Sequence, residues 1–122
     1  MNQKIVESFV QAINQQDLAR INALMADNFQ FIDTYGEKEN KTAMKTGWPG
    51  YFDWFPDYHI TIDDYLANEQ FAVIIGKASG SYLGNPAKHW EFPAAWKVVT
   101  KGQQIELWQV FCDSKKQLDA MK

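Results

Sequence analysis

Apolar positions in the first thirty residues recur at helical steps. Ile5, Val6, Phe9, Val10 and Ile13 follow one another at intervals of one, three and four residues, which lays one hydrophobic stripe along a helix. Asn14, Gln15 and Gln16 interrupt the stripe, and Asp17 stands where a carboxylate can accept the unpaired amides of a new first turn. Leu18, Ile21, Leu24 and Met25 make the face of a second helix, expected to end near Asp27 and Asn28. The period then drops to two in Phe29-Gln30-Phe31-Ile32-Asp33, a short strand that ends on a carboxylate. Thr34 to Thr46 is polar and contains Gly36, which predicts a loop followed by a weak helix around Thr42 to Lys45. Trp48 to Pro56 carries five aromatics in nine residues. Pro49 suits a first helical position and Pro56 prevents continuation, so one or two helical turns are expected there.

From Tyr58 onward the pattern is that of strands. His59 to Asp63 alternates, and Phe71 to Leu83 is a long run in which Gly76 and Gly80 mark bends. Gly84-Asn85-Pro86 is a turn, His89 to Thr100 a second long strand, Lys101-Gly102 a hairpin turn and Ile105 to Cys112 a last strand. Helices first and linked strands afterwards predict an α+β fold in one domain spanning residues 1–122, with strands read as antiparallel because no helix separates them.

Composition narrows the function. Twelve basic and 15 acidic residues give a net charge of −3 without charge blocks, so the basic footprint of a nucleic-acid-binding protein is missing. Cys112 is the one cysteine, and with two histidines it falls short of a structural zinc set. No apolar run reaches 18 residues, and the sequence therefore reads as a cytoplasmic protein with no membrane segment and no nucleic-acid partner. Aromatic residues make up 15% of the chain, a bias that favours strands and ligand-lined pockets.

The order of helix, helix, short strand ending in Asp33-Thr34-Tyr35-Gly36, aromatic helix and long meander resembles the nuclear-transport-factor-2-like superfamily. Gln15 to Ile21 is similar to that superfamily's helix-turn-helix signature. Gly47-Trp48 through His59, Pro93 to Trp96 and Trp108 to Asp113 are similar to its SnoaL-like polyketide cyclase and ketosteroid isomerase-like branch. The resemblance covers essentially the whole chain. It implies a cone in which a curved antiparallel or mixed sheet wraps around the N-terminal helices and encloses a pocket. It also implies isomerase, cyclase or dehydratase chemistry with no cofactor, or a non-catalytic binding or dimerisation module.

Asp33 is the first candidate for chemistry. Alternation puts it on one face with Phe29 and Phe31, and an apolar setting makes a carboxylate a competent proton acceptor; the resemblance gives the same position the role of general base. A turn-capping aspartate bonded to amides around Tyr35 and Gly36 is the competing reading. Two departures from the isomerase pattern stand out: its hydroxyl donor on the first helix falls at Phe9, and its protonated acid falls near Ala94 or Ala95. His59, at the start of a long strand, is the second catalytic candidate, with backbone-bonded exposure as its alternative. His89 and Glu91 share a strand face, either as a dyad or as a solvated polar stripe. Trp48, Tyr51, Phe52 and Phe55 are expected to roof a cavity for a small apolar or aromatic molecule, with Trp96 and Trp108 lining it from the sheet. Cys112 reads as a small buried hydrophobe. Apolar groups on both faces of Trp90 to Ala95 predict a homodimer through the outer sheet face.

Overall fold

The structure, a computed structural model, describes residues 2–122. Asn2 caps helix α1 (Gln3–Asn14), and Asp17 caps α2 (Leu18–Leu24) by accepting the Arg20 amide at 3.1 Å, as the sequence predicts. The second helix stops three residues short of the expected end. Strand β1 (Met25–Ile32) begins at Met25 because that residue pairs with Ile105 in the sheet, and the side chains of Lys41 and Gln104 both donate to its carbonyl. A short strand β2 (Lys38–Asn40), too polar to read from the sequence, hairpins onto β1.

Helix α3 (Lys41–Trp54) is continuous where two separate pieces were expected. Asn40 caps it through the Ala43 amide at 2.9 Å. Pro49 lies inside it, and the burial of Met44, Trp48 and Phe52 along one face offsets the missing amide bond. Four strands follow: β3 (His59–Ala67), β4 (Ala72–Ser81), β5 (His89–Lys101) and β6 (Gln104–Cys112). A last short helix, α4 (Lys115–Ala120), was not anticipated.

The six strands form one curved sheet in the order β2-β1-β6-β5-β4-β3. Strands β3 to β6 are an antiparallel meander, as expected, whereas β1 joins β6 in parallel. Inward residues of the meander alternate strictly along β5, where Trp90, Phe92, Ala94, Trp96 and Val98 are all buried. They meet Val6, Phe9 and Ile13 of α1. The side chain of Asn14 extends this contact by pairing with both backbone groups of Ile60, donating at 2.9 Å and accepting at 2.8 Å. That clamp fixes which face of β3 looks inward. On the outer face, Ile75, Ala95 and Phe111 lie in register across three strands, with Ile75 and Phe111 exposed.

Candidate active site

A cavity of about 790 Å³ opens between α3 and the concave face of the sheet. Met44, Trp48 and Tyr51 recur at four and three residues on α3, so one helical face supplies one wall. Alternate residues of β5 and β6, namely Phe92, Trp96, Trp108, Val110 and Cys112, supply the opposite wall. Asp33, Thr34 and Tyr35 border it from the end of β1, and Ser114, Gln117 and Leu118 border it from the C-terminal segment. Ala78 leaves space open on β4 where a larger side chain would fill it.

Polar groups converge on Tyr51. Its hydroxyl accepts from Gln117 Nε2 at 2.7 Å, and the Tyr58 ring meets the Tyr51 ring edge-on with centroids 5.0 Å apart. Burial raises both phenols well above their ordinary range, Tyr58 further still through the neighbouring Tyr51, so both are protonated donors at neutral pH. Burial and the adjacent Asp113 charge hold the Cys112 thiol at about 11, which keeps it un-ionised beside them. Trp48 is 4% exposed, and its indole N–H has no hydrogen-bond partner.

Asp33 reaches this cavity by a different arrangement from the one its strand position suggests. Its Oδ1 accepts the amides of Tyr35 at 2.8 Å and Glu37 at 3.0 Å, closing the turn in which Gly36 adopts φ +85°. The turn-capping reading is therefore realised. Its Oδ2 has no hydrogen-bond partner among the described residues. The carboxylate thus has one oxygen committed to the backbone and one available at the cavity wall.

The structure places Asp33, Trp48, Tyr51, Trp96 and Trp108 around this one cavity. Three other candidates are not placed there. Phe52 and Phe55 lie behind the wall in the core, Phe52 stacked on Trp48 at 6.0 Å and Phe55 edge-on to Tyr51 at 5.0 Å. His59 is exposed on the outer side of β3, because the Asn14 clamp turns its neighbour Ile60 inward and strand alternation sends His59 outward. His89 does not form a dyad with Glu91. Its Nδ1 lies 2.8 Å from the Ser81 hydroxyl, which donates to Asp57 Oδ2 at 2.8 Å, outside the cavity. Tyr58 and Gln117 were missed; Tyr58 directly precedes a predicted strand, while nothing in the sequence places Gln117 against Tyr51. Among the described residues no group of three or more His, Cys, Asp or Glu is placed to hold a metal ion. No helix among them is long and apolar enough to cross a membrane.

Solved structures share this architecture at low sequence identity. A protein with a ketosteroid isomerase-like fold from Catenulispora acidiphila, solved in complex with trimethylamine, is 17% identical with a TM-score of 0.85, the match covering 99% of this chain and 94% of its own. A Shewanella denitrificans protein described as a SnoaL-like polyketide cyclase is 14% identical with a TM-score of 0.81, over 98% and 95%. An LEH-like epoxide hydrolase of M. tuberculosis is 13% identical with a TM-score of 0.81, over 97% and 86%. No curated protein matches the chain. The SnoaL-like domain matches residues 6–112. With that match over most of its length, this helix-packed curved sheet belongs to the SnoaL-like family of the nuclear-transport-factor-2-like superfamily.

Proposed function

We propose that the chain binds one small organic molecule in this cavity and moves a proton on it with its own side chains, in an isomerase-, cyclase- or lyase-type step. The observation that carries this reading is the meeting of two complementary groups in one cavity. Asp33 offers an unpaired Oδ2 whose direction is fixed by the two amides on Oδ1. Tyr51 offers its own proton, since its oxygen already accepts from Gln117. Asp33 takes a proton from the bound molecule, and the negative charge that develops on a ligand oxygen is stabilised by the Tyr51 O–H, already oriented before the reaction. This donor on α3 stands in for the hydroxyl absent at Phe9.

Base-promoted ring opening of a nitrobenzisoxazole tests the pair. The base removes the ring C–H proton, the N–O bond breaks, and a coloured cyanonitrophenolate forms whose charge falls on oxygen. Saturable turnover is expected, with a loss of about a hundredfold in Asp33→Asn and about tenfold in Tyr51→Phe. Turnover unchanged in Asp33→Asn would remove Asp33 as base. A binding module without chemistry is the second reading, favoured by the half-committed Asp33 carboxylate; it requires binding to survive both substitutions with no turnover in any form. The Catenulispora neighbour's trimethylamine complex supports either reading, as a small molecule held by this fold. The homodimer belongs to the same proposal, with the row Ile75, Ala95 and Phe111 as its contact; a monomer mass in sedimentation equilibrium at about 50 µM would remove it.

A further inference from the structure

We infer that the molecule this cavity selects is a cation, an ammonium group carried on an alkyl or aryl body. The inference rests on the reading that the cavity holds a small molecule, and it concerns that molecule's charge.

The charged residues that line the cavity are Asp33, Glu39 and Asp53, and no lysine, arginine or histidine lines it. Among the described residues none of these three carboxylates is in an ion pair, whereas the acids that are paired, Asp27, Asp57 and Asp119, lie elsewhere. The whole chain carries a net charge of −3. All three carboxylates line one cavity, and no cationic side chain lines it with them. Like charges gathered without counter-ions raise the local concentration of cations and repel anions.

The interior is suited to the same charge by a separate route. Nine aromatic side chains line the space, Trp48, Trp96 and Trp108 among them. Ring faces present the negative part of the aromatic quadrupole, so a cavity lined by aromatic rings attracts an organic cation that has little hydration to lose. A bare metal ion would forfeit its oxygen ligands here, and the absence of a ligating cluster among the described residues agrees with that. The two phenols are held neutral by burial and add no opposing charge. The buried indole N–H of Trp48, a side chain that also lines the cavity, has no partner and leaves one donor for an acceptor atom on the ligand's body, apart from its cationic group.

An isosteric pair of probes separates charge from shape. Phenyltrimethylammonium and tert-butylbenzene have nearly the same outline, and benzoate adds the opposite charge; binding is followed by tryptophan fluorescence and calorimetry on the full chain. The cation is expected to bind at least about tenfold more tightly than its neutral isostere at about 20 mM salt, with benzoate weaker than both. The advantage should fall to about threefold at about 0.5 M salt. Glu39→Gln with Asp53→Asn, both exposed and free of hydrogen bonds to their side chains, should weaken the cation about fivefold and leave tert-butylbenzene unchanged. An unchanged thermal midpoint confirms that the double variant is folded. Equal affinity for the isosteres, or tighter binding of benzoate, overturns the cation inference while the neutral probe's binding upholds the cavity. Failure of all three to bind overturns the cavity reading itself, and the inference with it.

Discussion

Phe9→Ala should be among the most damaging single truncations in the chain. Phe9 is fully buried, and its ring touches those of Phe29, Trp48 and Trp108 at centroid distances of 6.2, 6.0 and 5.0 Å. Removing the ring forfeits about 1.5–3 kcal/mol of transfer energy. The edge contacts to three neighbours and the space left behind add to that, because the large rings around the site cannot collapse into it, and the sum is about 3–5 kcal/mol. Against a typical domain stability of about 5–15 kcal/mol this is about a fifth of the total or more. With a urea slope of about 2 kcal/mol/M, a loss of 4 kcal/mol moves the midpoint by about 2 M. Urea unfolding followed by tryptophan fluorescence and by far-ultraviolet circular dichroism reads that shift, and the slope should stay constant. Phe9→Leu, which refills most of the volume, should cost less than half as much. A loss below about 1 kcal/mol for the alanine variant would mean that α1 does not press this face against the sheet, and the packing described for α1, α3 and β6 would be wrong.

Two further outcomes test other parts of the structure. Gly76→Ala would drive a Cβ into the Thr61 carbonyl, with the carbonyl carbon only 2.8 Å away, at the register shift between Ile62 and Asp64; a loss above about 4 kcal/mol or no soluble fold is expected, and a mild effect in thermal melts would refute the close approach of β3 and β4. Burial pushes the Asp57 carboxyl up, but the Ser81 hydroxyl and amide and the nearby His89 outweigh it and hold the carboxyl below the usual aspartate range. Its stabilising contribution is therefore present above the unfolded value of about 3.9 and is lost as pH falls through the lower folded one. Ser81→Ala should cost about 1 kcal/mol at pH 7, reduced by the half-exposure of Asp57. Urea unfolding repeated near pH 3 should show that cost shrinking, and a pH-independent cost would count against the ion's role.

Local patterns carried the reading of the elements. The α1 stripe, the Asp17 cap and the glycine-bearing turns of the meander each depend on neighbours in sequence, and each is found in the structure. What depends on distant partners was not legible. Met25 becomes strand because Ile105 pairs with it, and Pro49 sits in a continuous helix because a core forms beneath it. The inward phase of β3, and so the exposure of His59, is set by Asn14 from a different element. Asp33 shows the same division. Its turn and its place at the cavity follow from residues 29–37, whereas its companion Tyr51 is oriented by Gln117, 66 residues further along the chain.

The position of β6 at the centre of the sheet has a consequence for the order in which the protein can be built. The strand that separates β1 from β5 is the last of the six in chain order and so leaves the ribosome after the other five, and its contact with β1 joins residues far apart in sequence. Until residues 104–112 emerge, β1 with β2 and the β3–β4–β5 block are two pieces, each with an unpaired strand edge. Closing a parallel contact over that separation is slow relative to hairpin formation, because the loop entropy must be met before any bond rewards it. Trp108, Val110 and Cys112, which wall the cavity, arrive in that same final step. The nascent chain therefore holds exposed edges and an open apolar trough at the same moment, the condition that chaperones relieve. Binding competence and completion of the sheet become a single event.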